Sequence, residues 1–199
     1  MKEALIIFAK NPEAGKVKTR LAATIGDEAA LIVYHRLLFH TATVTGELAM
    51  DKFVFYSEQI IHQDIWENKL FFKQMQKGND LGERMENAFE DLFDKGYDKI
   101  VIIGTDCPVL TTGIITSAFT CLDTHNVVIG PAGDGGYYLL GMKQMHVSLF
   151  QNIPWSTNTV LVDTMYRCDA LKLNYASLST LNDIDVEKDL IYFEKKTAE

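Results

Sequence analysis

Four short, unbroken apolar runs constrain the fold of this chain more than any other feature: Ala4-Leu5-Ile6-Ile7-Phe8-Ala9, Phe53-Val54-Phe55-Tyr56, Lys99-Ile100-Val101-Ile102-Ile103 and Val127-Val128-Ile129. Each is rich in β-branched or aromatic residues and bounded by turn residues, the pattern of a strand buried on both faces. Leu70-Phe71-Phe72 and Tyr137-Tyr138-Leu139-Leu140 are weaker runs of the same kind. Between them lie helical stretches at about 27–49, 81–95, 112–123, 157–169 and 186–196, the second with Leu81, Met85, Ala88, Phe89, Leu92 and Phe93 on one face. Asp80 with Glu83 has the spacing of a capping box at its start, and Gly96 stops it. Strands alternating with helices predict an α/β fold, a mostly parallel, doubly wound sheet with helices on both faces. In such sheets ligands bind beyond the carboxyl ends of the strands, so the loops there are where chemistry is expected.

At 199 residues, with no linker long enough to separate two units, the chain is expected to form one domain over 1–199. Cys107, Cys121 and Cys168 have no paired spacing and fit a reducing compartment, and no run approaches the ~18 apolar residues of a membrane span. A cytoplasmic protein without a membrane partner is expected. The formal charge of −8 argues against a nucleic-acid partner and for a small-molecule one. Against that acidic background Lys10, Lys16, Lys18 and Arg20 cluster with only Glu13 opposing them, which points at an anionic ligand.

The first of three informative loops, 10–20, follows the first strand and feeds a helix start. Backbone N–H groups and lysine or arginine side chains so arranged can cradle a di- or triphosphate, with Gly15 supplying the turn. It is not a Walker A loop, since Lys10 stands where the first glycine belongs and Val17 follows Lys16. An ordinary solvated basic turn is the alternative. The second loop, Gly104-Thr105-Asp106-Cys107-Pro108, puts a carboxylate at the end of the most hydrophobic strand, where Asp106 can hold a hard cation such as Mg²⁺ against phosphate oxygens or else cap the helix starting near Thr111. The third, Gly130-Pro131-Ala132-Gly133-Asp134-Gly135-Gly136-Tyr137-Tyr138, surrounds Asp134 with glycines, as if the backbone must approach a ligand on which Tyr137 or Tyr138 packs. Its alternative is a tight Asp-Gly hairpin. Arg84 near a helix start, Trp155-Ser156-Thr157 before another, and Asp185 in Asp183-Ile184-Asp185 complete the set, Asp185 serving as a metal ligand or an N-cap. The five histidines show no ligand spacing, and no nucleophilic triad is suggested.

Taken in order, Phe8-Ala9-Lys10 with Gly15-Lys16-Val17-Lys18-Thr19-Arg20-Leu21, Leu81-Gly82-Glu83-Arg84-Met85, Gly104-Thr105-Asp106-Cys107-Pro108, Gly130-Pro131 with Asp134-Gly135-Gly136-Tyr137-Tyr138, Trp155-Ser156-Thr157 and Asp183-Ile184-Asp185 resemble the radical-SAM/selenodomain-associated transferase family. More distantly the chain is similar to 2-phospholactate guanylyltransferase and the molybdenum cofactor guanylyltransferases. The resemblance implies a Rossmann-like GT-A nucleotide-diphospho-sugar transferase fold with one strand reversed. It further implies phosphate or nucleotide binding by Lys10, Gly15, Lys16, Lys18, Arg20 and Arg84, and substrate binding by Gly135, Gly136, Tyr137, Trp155, Ser156 and Thr157. Catalytic roles fall to Asp106 and Asp134, and Mg²⁺ or Mn²⁺ to Asp106, Asp134 and Asp185. The reaction expected is glycosyl transfer from a nucleotide sugar to a small-molecule acceptor. Nucleotidyl transfer from a nucleoside triphosphate to a phosphorylated small molecule, or a non-catalytic partnership with a radical-SAM enzyme, are the alternatives. Exposed edge strands would permit a homodimer.

Overall fold

The computed structural model describes residues 1–195. Seven strands, β1 (Glu3–Ala9), β2 (Asp51–Tyr56), β3 (Phe71–Met75), β4 (Lys99–Ile103), β5 (Val127–Pro131), β6 (Tyr137–Met142) and β7 (Tyr175–Ser177), form one sheet in the order β3-β2-β1-β4-β6-β5-β7. All neighbours pair in parallel except β6, which runs antiparallel to both β4 and β5. The expected mostly parallel sheet with one reversed strand is therefore present. Among the described residues five α-helices lie between the strands, α1 (Thr19–Ile25), α2 (Asp27–Gly46), α3 (Leu81–Asp94), α4 (Thr112–Cys121) and α5 (Val160–Ala170), and α6 (Ile191–Lys195) follows β7.

The unbroken apolar runs are explained by helices on both sides of the sheet. Leu5, Ile7, Val54, Val101 and Ile103 face α2 and α4, meeting Tyr34, Leu38, Ile115, Ala118 and Phe119. Their alternates Ala4, Ile6, Phe53, Ile100 and Ile102 face α3 and α5, meeting Met85, Ala88, Phe89, Leu92 and Cys168. Burying a side chain of this size is worth about 1.5–3 kcal/mol, which makes the strand register costly to slip. A smaller cluster of Leu21, Ala30, Val33, Leu37 and Ile184 fastens α1, α2 and the chain around residue 184 to one another beside the sheet.

Several boundaries differ from expectation for local reasons. Helix α5 begins at Val160 rather than 157, because Ser156 has φ 65° and the Thr157 hydroxyl bonds the Pro154 carbonyl at 2.7 Å, a local alternative to helix. Helix α2 stops at Gly46 with Glu47 as its C-cap, and the Lys52 ammonium donates to the Leu48 and Met50 carbonyls of the chain that follows. The expected capping box of α3 is half formed: Asp80 accepts from Glu83 N at 2.9 Å, but Glu83 reaches back to Asn79 N instead of Asp80 N. The helix expected over 186–196 is a 3₁₀ turn, Glu187–Leu190, followed by α6, and residue 196 lies outside the described residues. Strand β7 carried no apolar run and was not anticipated. Among the described residues no helix is long and apolar enough to cross a membrane.

Candidate active site

The loop leaving β1 is held in place by two side chains that no sequence motif singles out for this task. Asn11 is buried, and its amide donates to the Gln59 carbonyl at 2.8 Å while its Oδ1 accepts from Glu58 N and Gln59 N at 2.9 and 3.2 Å. Tyr34, from the middle of α2, accepts from Lys10 N at 2.9 Å and donates to Lys10 O at 3.1 Å. Its oxygen also lies 3.4 Å from Thr105 Oγ1, which must donate there since the phenol has one proton. Burial, reinforced by the negative charge of Asp106, pushes the Tyr34 phenol far above its ordinary range and keeps it a donor.

Beyond this anchor the chain turns at Gly15, φ 78°, buries Val17, and enters α1 through Lys18. Lys18 adopts φ 49°, a left-handed conformation costing a non-glycine residue roughly 1 kcal/mol or more. The strain aims its side chain inward. Only 4% of that side chain is exposed, and its Nζ stands 2.7 Å from Asp106 Oδ1 and 3.7 Å from Asp185 Oδ1. Arg20 meets the same Asp185 from the outside, 2.7 Å from Oδ2.

Asp106 follows β4 and leaves 42% of its side chain exposed. It does not cap α4: Thr111 does, accepting from Ile114 N at 3.3 Å. The Asp106 carbonyl accepts from Ile184 N at 3.0 Å, which pins Asp183-Ile184-Asp185 beside it. Ile184 is fully buried among α1 and α2, so the alternation of that tripeptide turns its two carboxylates away from that cluster, and Asp185 lines the cleft. Asp185 is not an N-cap either, because Val186 holds that place and the Asp189 carboxylate accepts the Asp185 and Val186 amides. Asp183 is the more perturbed of the pair. Burial first, then the charge of Asp106, pushes its carboxyl up to about 7; Asp185 and Asp134 add to this and Lys18 opposes it.

One cleft at the carboxyl ends of β1 and β4 is thus lined by Lys10, Val17, Lys18, Thr19, Arg20, Tyr34, Asp106 and Asp185. It unites three of the four cations of the β1 loop and two of the three carboxylates that the sequence singled out. Lys16 is turned away, paired with Glu13 at 2.9 Å and Glu58 at 3.4 Å, which raise its pKa. Gly104, at the end of β4, is exposed, and a Cβ built on it would meet nothing within 4 Å, so space is open above the strand.

The glycine-rich loop has a different logic. It is the hairpin turn between β5 and β6, with Ala132 N bonded to Gly136 O and Gly135 N to Ala132 O. Its glycines make room for the chain itself: a Cβ at Gly133 would stand 2.2 Å from Asn182 Oδ1, and one at Gly135 2.1 Å from Asn158 O. Packing of the chain against itself thus gives Gly133 and Gly135 a reason that needs no ligand. Asp134 is exposed and accepts from Gly136 N at 2.9 Å, steadying its own turn. Tyr137 packs against the core with its hydroxyl on Met85 Sδ at 3.9 Å, and Tyr138 is buried with its hydroxyl on Ser179 O at 3.1 Å; neither ring is presented to a ligand. Trp155 lies over Gly82, where a Cβ would meet its Nε1 at 2.1 Å. Ser156 and Thr157 are exposed in the loop before α5, and Arg84 Nε donates to Gly78 O at 3.1 Å. None of these lines the cleft.

Among the described residues no three His, Cys, Asp or Glu side chains are disposed to hold a metal ion by themselves. The donors nevertheless suit Mg²⁺ or Mn²⁺. Carboxylate oxygens are the hard ligands such ions take, and Mg²⁺ is commonly held by one or two carboxylates together with substrate phosphates rather than by an all-protein cage. Burial does most to raise the Asp183 carboxyl, but the charges of Asp106 and Asp185 add to it, and that gathered negative charge is what a divalent cation would offset.

This sheet order, with its cationic β1 loop and the aspartate after β4, defines the nucleotide-diphospho-sugar transferase fold, and the solved neighbours bear it out. A candidate nucleotide-diphospho-sugar transferase from Desulfovibrio desulfuricans G20 superposes with a TM-score of 0.91 at 30% identity, over 100% of this chain and 90% of that one. The inositol-1-phosphate CTP transferase from T. maritima (TM-score 0.59, 16% identity, 100% and 97% of the two chains) shares the fold. So does CMP:2-keto-3-deoxy-manno-octonic acid synthetase complexed with CTP (TM-score 0.54, 9% identity, 100% and 99%). The chain belongs to the family described as "Uncharacterized protein conserved in bacteria (DUF2064)", whose model matches residues 40–157. No curated protein matches the sequence.

Proposed function

We propose that this protein is a metal-dependent transferase that takes a glycosyl group from a nucleotide sugar and delivers it to a small-molecule acceptor. The observation that carries the reading is the convergence of Lys10, Lys18 and Arg20 with Asp106 and Asp185 on one cleft. The full-length likeness to the candidate nucleotide-diphospho-sugar transferase supports it. In this reading Lys10, Lys18 and Arg20 hold the diphosphate, and Tyr34 fixes the backbone that carries Lys10. Asp106, with Asp185, holds Mg²⁺ or Mn²⁺, whose charge would offset that developing on the diphosphate as it leaves. Breaking the sugar–phosphate bond and forming the bond to the acceptor oxygen releases one proton, which we assign to Asp134, exposed in the turn between β5 and β6.

The test is calorimetry of the protein against a panel of nucleotide sugars and nucleoside triphosphates, with and without Mg²⁺ or Mn²⁺, repeated on Asp106→Asn. Metal-dependent binding of a nucleotide sugar that Asp106→Asn loses is the expected result. Preference for a bare triphosphate would replace glycosyl by nucleotidyl transfer at the same cleft. Binding of neither class would overturn the reading.

A further inference from the structure

Lys18 is placed as no surface lysine is. Its side chain is 4% exposed, its backbone is in the left-handed region at φ 49°, and its Nζ is buried without a hydrogen bond of proper geometry. What holds it is charge: Asp106 Oδ1 at 2.7 Å and Asp185 Oδ1 at 3.7 Å. Arg20 also pairs with Asp185, but from solvent, with 68% of its side chain exposed. A buried ammonium is tolerated only when its charge is matched, and these two carboxylates do the matching.

The two carboxylates that clasp Lys18 are the two assigned above to a divalent cation, and this inference rests on that reading. Two cations cannot share one carboxylate pair without strong repulsion. We infer that Lys18 is a placeholder: in the metal-free protein its ammonium neutralises Asp106 and Asp185, and it yields them to a divalent cation when a polyphosphate arrives to accept it. Metal and polyphosphate then bind with positive coupling transmitted through one side chain. By reciprocity each tightens the other by the same factor. A metal bound alone would leave Lys18 buried without a counter-ion, so binding without polyphosphate is weak.

The inference is tested with Mn²⁺, followed as free ion by electron paramagnetic resonance, on the folded wild-type protein, Lys18→Met, Lys18→Arg and the double variant Lys18→Met/Asp106→Asn. Without polyphosphate, Lys18→Met is expected to bind Mn²⁺ about tenfold or more tightly than wild type. Lys18→Arg, which keeps the charge, should stay as weak as wild type, and the double variant should lose the gain. Calorimetry with preformed Mn²⁺–tripolyphosphate should show the reverse order, wild type tighter than Lys18→Met. Should Lys18→Met not fold, Lys18→Gly suits the left-handed backbone and answers the same question. Equal Mn²⁺ affinity in wild type and Lys18→Met, with wild type still binding Mn²⁺–tripolyphosphate, would overturn the placeholder and leave the transferase reading intact. Failure of wild type to bind Mn²⁺–tripolyphosphate or any nucleotide would overturn both.

Discussion

The loop after β1 and the turn between β5 and β6 look alike as sequence, each a glycine-bearing segment with charged residues at a strand end, yet they are built on opposite principles. In the turn two of the three glycines are explained by a neighbouring atom of the chain, Asn182 Oδ1 at Gly133 and Asn158 O at Gly135, and its aspartate accepts an amide of the same turn. The β1 loop instead carries a lysine in a strained conformation with a buried charge, facing carboxylates that crowd one another. Local chemistry closes the first region on itself, whereas the second holds charge that the fold alone does not settle. Unsettled charge marks a ligand site better than glycine content does.

Substitutions can break this contrast, beginning with the one expected to do most. Asp106→Asn should lower turnover on the donor identified by calorimetry by roughly 100-fold or more. Asp134→Asn, which can keep the bond from Gly136 N, should cost less, about tenfold, because water reaches this exposed position and can take the proton in its place; equal losses would erase the distinction. Gly135→Ala should cost roughly 2–4 kcal/mol in chemical denaturation, since its Cβ would collide with Asn158 O and the residue has φ 92°. Gly15→Ala in the β1 loop, where only φ 78° is unfavourable and the nearest atom lies at 3.6 Å, should cost about 1 kcal/mol.

Asp183 sharpens the comparison through pH. Its folded carboxyl titrates at about 7 against an ordinary 3.8, so the folded protein retains a proton that the unfolded chain has released. That contribution to stability is present in full below the ordinary value and is lost as pH rises toward about 7. Asp183→Asn should therefore be more stable than wild type at pH 8, by on the order of 2 kcal/mol, with the gap shrinking as pH falls to 4; a gap constant with pH would remove the argument. Smaller still, Gly104→Ala should leave the melting temperature within about 2 °C of wild type, because nothing stands near its Cβ, while weakening donor binding. Unchanged binding would show that the open space above β4 is not used.

The sheet was legible because runs such as Ile100–Ile103 are apolar on both faces, a demand met only by strands covered by helices on either side. Strand β7 was not, since Tyr175-Ala176-Ser177 is short, half exposed and recruited by pairing with β5. In the site, Asp106, Lys18 and Arg20 stood out as charges beside a strand end and the structure brings them together. Tyr34 and Asn11 did not, because a polar residue that bonds backbone far along the chain looks in sequence like any other helix or loop residue. Tyr137 shows the converse: an aromatic beside glycines reads as a ligand platform, but here the ring also packs against the core on the second face of the reversed strand.

The pair of hydrogen bonds between the Tyr34 hydroxyl and the Lys10 backbone has a consequence for motion. The Lys10 side chain is exposed, but its amide is committed to a phenol rooted in the middle of α2. Its proton should exchange with solvent only when α2 lifts from the sheet, at the slow rate of the protein's interior rather than the fast rate of a surface loop.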